Sequence, residues 1–130
     1  MSHSTITAAL TTEFQSQWAS RTEIEYANTP KSHTVLPYVR FSTAFLKTEN
    51  ACVGSNVKKY QGLITVQCFT ATNIAYGTAT ALADQAILDM ENKYIGTVFT
   101  NGGYVEDIGK DPDDSDLYVV NAVIPFMGVS

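Results

Sequence analysis

The stretch from Leu117 to Phe126 constrains this chain more than any other. Leu117, Val119, Asn121 and Val123 alternate there with Tyr118, Val120, Ala122, Ile124 and Phe126, so apolar residues fall on both faces of one extended segment. A strand with water on one side alternates apolar and polar residues. This one does not, so both of its faces must be covered. A chain of 130 residues with 45% hydrophobic content can build one compact core around such a strand, but hardly two. We therefore read residues 1–130 as a single domain.

Upstream, Ile6, Leu10, Phe14 and Trp18 recur every four residues and mark one apolar stripe on a helix. Ser4 is placed to cap it, and Arg21 lies just beyond its last turn. A short strand is expected at Thr22–Tyr26, followed by a polar connection from Asn28 through Pro30 to His33. Tyr38–Leu46 reads as a strand with Val39, Phe41 and Phe45 on one face and Arg40 and Ser42 on the other. Tyr60–Thr70 reads as another, with Leu63, Thr65, Gln67 and Phe69 alternating against Ile64, Val66 and Cys68. Lys47–Lys59 between them is long for a hairpin connection, where two to five residues is usual, and is expected to form a contact arm. Asn73–Tyr94 holds a helix with Ala79, Leu82, Ala83, Ala86, Ile87, Met90 and Tyr94 on one face and Gly96 placed to end it. Thr97–Thr100 and Tyr104–Glu106 flank Asn101-Gly102-Gly103, a hairpin signal. The order α-β-β-β-α-β-β-β predicts an α+β fold, two helices packed on a largely antiparallel β-sheet.

Eight Lys and Arg against thirteen Asp and Glu give a net charge of −5, which argues against gripping nucleic acid through its phosphates. Charged residues are 16% of the chain, below the roughly 25% of an average domain. Sixteen Thr and nine Ser take their place, a surface with fewer ions to desolvate against a partner. His3 and His33 are read as solvated, one in a fraying terminus and one in a polar connection. Cys68 reads as a small core residue, and Cys52 has no flanking catalytic motif. A calcium loop starting at Asp111 would need Gly at its sixth position and Glu at its twelfth, where Asp116 and Ala122 stand. Gly77 is read as a turn or cap, since no phosphate-binding glycine motif surrounds it. The aromatic residues are read as core and interface. Neither catalytic constellation, cofactor site nor metal site is expected. No signal-like start and no apolar run near the eighteen residues of a membrane span are present, so a soluble, cytoplasmically made protein is expected.

The segment Lys58-Lys59-Tyr60-Gln61-Gly62-Leu63-Ile64-Thr65-Val66-Gln67-Cys68-Phe69 resembles the basic-aromatic-x-Gly strand entry of small phage tail-completion proteins. Tyr76-Gly77, followed by Leu82-Ala83-Asp84, is similar to the same proteins, in which a Gly precedes a helix carrying an Ala-Asp pair. The opening helix with Trp18 and the closing Val123-Ile124-Pro125-Phe126 fall in the matching order. The resemblance, to the tail-terminator family of long-tailed bacteriophages, covers nearly the whole chain. It implies a structural virion protein of the tail and neck, assembled in the host cytoplasm. Such a protein forms a hexameric ring on the head-proximal end of the tail tube, stops tube polymerisation and meets the head-side connector. DNA would pass through without specific binding, and no membrane or cofactor is involved. The family supplies no catalytic residues to carry over.

Within that expectation, Lys47, Glu49, Asn50, Lys58, Lys59 and Tyr60 of the arm, with Asn101 and Tyr104 of the hairpin, are the expected partner contacts. Asp111, Asp113, Asp114 and Asp116 are expected toward the channel, where acids repel passing DNA. Three other readings stand beside this one. They are another head–tail connector or neck ring of the same fold, a small α+β ligand-binding protein or enzyme, and a cytosolic α+β domain with an unrelated partner.

Overall fold

A computed structural model describes residues 3–19, 21–26, 36–50, 54, 56–71, 77–110 and 117–129. Among these residues two helices, α1 (His3–Trp18) and α2 (Gly77–Met90), accompany seven strands. The strands are β1 (Glu23–Tyr26), β2 (Tyr38–Asn50), β3 (Lys58–Ala71), β4 (Tyr94–Ile95), β5 (Val98–Thr100), β6 (Tyr104–Lys110) and β7 (Leu117–Val129). They form one sheet in the order β1-β2-β3-β7-β5-β4, with β6 also pairing β7. Every pairing is antiparallel except β1 with β2. The α+β class and element order match the sequence expectation, with the two-residue β4 added.

The apolar run that opened the sequence reading sits at the centre of the sheet. β7 pairs β3 along its length and takes β5 and β6 on its other side. Val120, Ala122, Ile124 and Phe126 face the main core, while Leu117 and Val119 join Tyr38 and Phe69 in a smaller cluster on the opposite face. Both helices lie on the main-core face. The α1 stripe Ile6, Leu10, Phe14 and Trp18 is wholly buried, each large side chain worth about 1.5–3 kcal/mol of burial. Ala79, Ala83 and Ala86 are fully buried too, and their small size lets α2 lie close against β7 and β3.

Several boundaries differ from expectation. α1 begins at His3 among the described residues, so Ser4 lies inside its first turn and does not cap it. α2 closes at Met90, and Tyr94 belongs to β4 with 80% of its surface exposed. Gly96, at φ 65°, turns the chain between β4 and β5 and does not end the helix; Asn92, at φ 52°, is the left-handed residue near the helix end. Buried Thr100 completes that end. Its Oγ1 donates to the Met90 carbonyl at 2.6 Å and accepts the Lys93 N–H at 3.0 Å, satisfying a carbonyl that the last helical turn leaves over.

The hairpin expected around Asn101–Gly103 does not form. β5 and β6 both pair β7, with Thr100 opposite Phe126 and Tyr104 opposite Val123, so residues 101–103 are an irregular step along one edge. The Asn101 N–H donates to the Pro125 carbonyl at 2.9 Å, and the Gly103 N–H donates to Glu91 Oε1 at 3.1 Å. A Cβ on Gly103 would come within 2.9 Å of Ile124 Cγ1, so the glycine serves a close approach to the sheet.

Candidate functional site

The expected long loop is shortened from both ends by strand. β2 continues to Asn50 and β3 begins at Lys58, so only residues 51–57 lie between them. Cross-strand pairing carries Lys47–Asn50 into the ladder despite their polarity: Thr48 faces Tyr60, Glu49 faces Lys59 and Asn50 faces Lys58. A bulge between Phe45 and Lys47 leaves Leu46 66% exposed.

An aromatic cluster roots this arm. Phe45 lies edge-on to Phe126 at 5.6 Å, to Tyr60 at 6.4 Å and to His3 at 4.5 Å. His3 also meets Tyr60 edge-on at 4.9 Å, and its Nε2 is hydrogen-bonded to Thr48 Oγ1 at 2.9 Å. His3 is therefore packed against the arm, contrary to the frayed terminus expected for it. Tyr60 is only 4% exposed, so it anchors the arm and offers no contact surface. Lys47, Glu49, Asn50 and Lys58 are exposed, and Lys59 is half-buried. Lys47 Nζ and Glu49 Oε2 form an open ion pair at 3.3 Å, worth at most about 1 kcal/mol.

Neither helix covers the second face of the sheet. Register aligns a row of polar side chains across it: Glu25, Arg40, Gln67, Asn121 and Glu106, from β1 through β2, β3 and β7 to β6. Glu25 is buried and its Oε1 accepts from Arg40 Nη2 at 2.7 Å and Nε at 3.0 Å, while the Arg40 guanidinium lies 5.5 Å from the Phe69 ring centre. Glu25 Oε2 and Asn121 Oδ1 are buried with no hydrogen-bond partner among the described residues. Beside this row, Ser42 faces Thr65 and Thr65 faces Val123. The face is broad and mostly uncharged.

Asn101 is half-buried on the β7 edge, and Tyr104 is 50% exposed on β6. β3 and β7 stand between these two residues and the β2 edge of the arm, so the structure does not gather the expected contacts into one patch. Asp111, Asp113, Asp114 and Asp116, with Cys52 and His33, lie outside the described residues. Cys68 is buried as expected, and burial pushes its thiol up to about 12, far from a nucleophile's range. The described residues contain no group of three His, Cys, Asp or Glu arranged to hold a metal ion. No described helix is long and apolar enough to cross a membrane.

One open cleft of about 620 Å³ is lined by Arg21, Thr22, Pro37, Thr78, Leu82 and Gln85, where α1 ends and α2 begins. Arg21 is already committed there: it donates to Asp89 Oδ2 at 2.9 Å and lies 4.6 Å over the Trp18 ring. Neither the aromatic root nor the polar row has a signature in residue spacing. Arg40 was legible as an outward residue, but its partners depend on strand register.

No family model matches the chain, and no curated protein matches it. Among solved structures, one protein shares 13% identity over 95% of this chain and 95% of its own, with a TM-score of 0.65. At this identity the likeness is one of fold alone.

Proposed function

We propose that the chain is a structural protein of a long-tailed bacteriophage, a tail terminator that caps the head-proximal end of the tail tube. In this reading six copies form a ring that stops tube polymerisation and presents its other surface to the head-side connector. One observation carries most of the weight. The sheet has one face filled by helices and one broad, mostly uncharged face that neither described helix covers, ending in a rooted arm. Such a shape suits contact with large neighbours, and the element order agrees with the resemblance in the sequence. With a net charge of −5 per copy, DNA could traverse the ring without sticking.

Particles lacking this protein test the reading. A terminator's absence gives overlong tails. Normal-length tails without heads would instead favour a connector or neck ring of the same fold. The cleft beside Arg21 favours a second reading, a small-ligand binder. A thermal-shift screen in which one small molecule raises Tm strongly, and Gln85→Ala abolishes the rise, would replace the structural role with that one.

A further inference from the structure

Among the described residues the sheet has two edges along which no strand pairs, on opposite sides. β1 covers β2 only from Tyr38 to Phe41, so no described strand pairs the outer side of Ser42–Asn50. At the other side β6 pairs β7 along one edge, and no described strand lies along its other edge from Tyr104 to Lys110. An open edge is a row of backbone donors and acceptors ready to take another strand. Neither edge is blunted by proline, and both carry exposed apolar side chains: Leu46 on β2, and Tyr104, Val105 and Ile108 on β6.

The two edges differ in charge. Lys47 on β2, with Lys58 and Lys59 on the adjoining strand, outnumbers Glu49, making this the basic corner of an acidic chain. β6 carries Glu106 and Asp107 against one cation, Lys110, and Glu91 just past the end of α2 is tied to the start of β6 through the Gly103 N–H. Asp107 remains exposed although its Oδ1 accepts a hydrogen bond from the Tyr118 hydroxyl at 2.8 Å. β3 and β7 separate the edges, so one copy cannot join its own β2 to its own β6.

We infer that the β2 edge of one copy pairs with the β6 edge of a second copy, continuing the sheet across the boundary. The occupant of each edge is this same chain, because the apolar exposure and opposite charge that each edge requires are supplied by the other. The contact is head-to-tail: every copy that uses its β2 edge still offers a β6 edge, so the assembly grows until the rotation closes it into a ring. The inference concerns self-association alone and does not depend on which tube or neck part the ring meets.

A mixing experiment tests it. Leu46→Asp with Lys47→Glu spoils the β2 edge, and Glu106→Lys with Ile108→Lys spoils the β6 edge. The wild-type protein is expected to form a closed oligomer by native mass spectrometry and sedimentation velocity. Each double variant alone is expected to be monomeric, weakened by roughly a hundredfold as like charges meet across the junction. Mixed in equal amounts, the two variants meet with opposite charges at both kinds of junction, so a closed assembly in which they alternate one to one should return. A wild-type protein that stays monomeric, a variant that still assembles, or a mixture that stays monomeric would each overturn the inference. If a double variant loses its near-ultraviolet circular dichroism, K47E and E106K alone read the same junction under the same outcomes. A ring that obeys these rules yet leaves tail length unaltered when removed from particles would strike the terminator reading and leave the junction standing.

Discussion

Gly62 shows how one residue can set what its neighbours do. It sits on β3 opposite Phe45 of β2 and Phe126 of β7, whose rings meet edge-on at 5.6 Å across the space a side chain would fill. A Cβ there would lie 2.6 Å from Phe126 Cζ and would also press on the Ala44 carbonyl. The backbone carbonyl cannot swing aside as a flexible side chain would, so the ring pair must open. Gly62→Ala is therefore expected to destabilise by about 1–3 kcal/mol, the usual cost of overpacking. Urea unfolding checks this, with a lower midpoint and an unchanged slope. A midpoint equal to wild type would mean that the arm root is loosely packed. The glycine was visible in the sequence as part of a strand entry, but its purpose was not, because its neighbours come from two other strands. Cys68 was easier to place, since alternation along β3 assigns it to the core without knowledge of any partner.

At the scale of elements, burial periodicity made some segments legible and its absence hid others. The α1 stripe declared itself because its apolar residues repeat at the helical period, and the β7 run because apolar residues fill both of its faces. The outer half of β2 did not, since Lys47–Asn50 is exposed at every position and is held by its ladder with β3. Residues 101–103 carry a hairpin's turn residues, yet β7 is long enough to pair the segments on both sides of them, and this pairing prevails over the local turn preference. The link between α1 and the entry to β4 was equally hidden in the sequence. Glu13 Oε1 accepts from Gln17 Nε2 and Lys93 Nζ, each at 3.1 Å, and these bonds hold its carboxyl below the ordinary value of 4.5. A carboxyl lowered in the folded state stabilises the fold fully above its unfolded value and loses that contribution as pH falls through the lowered one. Glu13→Gln should then cost no more than about 1 kcal/mol near neutral pH, because the pair is partly solvated. The gap from wild type should close as pH drops below 4.5. Unfolding midpoints measured from pH 7 to pH 3 check this, and a gap that persists at the acid end would assign the loss to packing.

For the whole molecule, the governing quantity is a net charge of −5 set against a local contact between basic and acidic edges. These two terms act over different distances, so salt separates them. Repulsion between copies is summed over tens of ångströms and is screened first, since the Debye length falls from about 30 Å at 0.01 M to about 8 Å at 0.15 M. The attraction of Lys47 for Glu106 would act across a few ångströms, and only near 1 M, where the length is about 3 Å, is it screened in turn. Self-association is therefore expected to strengthen from 0.01 M to roughly 0.15 M sodium chloride and to weaken again toward 1 M. Sedimentation velocity at fixed protein concentration across that range gives the curve. E106K on its own should reduce the high-salt decline, because it removes the acid proposed to face Lys47 and leaves Asp107 as the acid of that edge. A wild-type curve that rises without a maximum would mean that Leu46, Tyr104, Val105 and Ile108 hold the copies together by apolar contact and that the charges only set which edges meet.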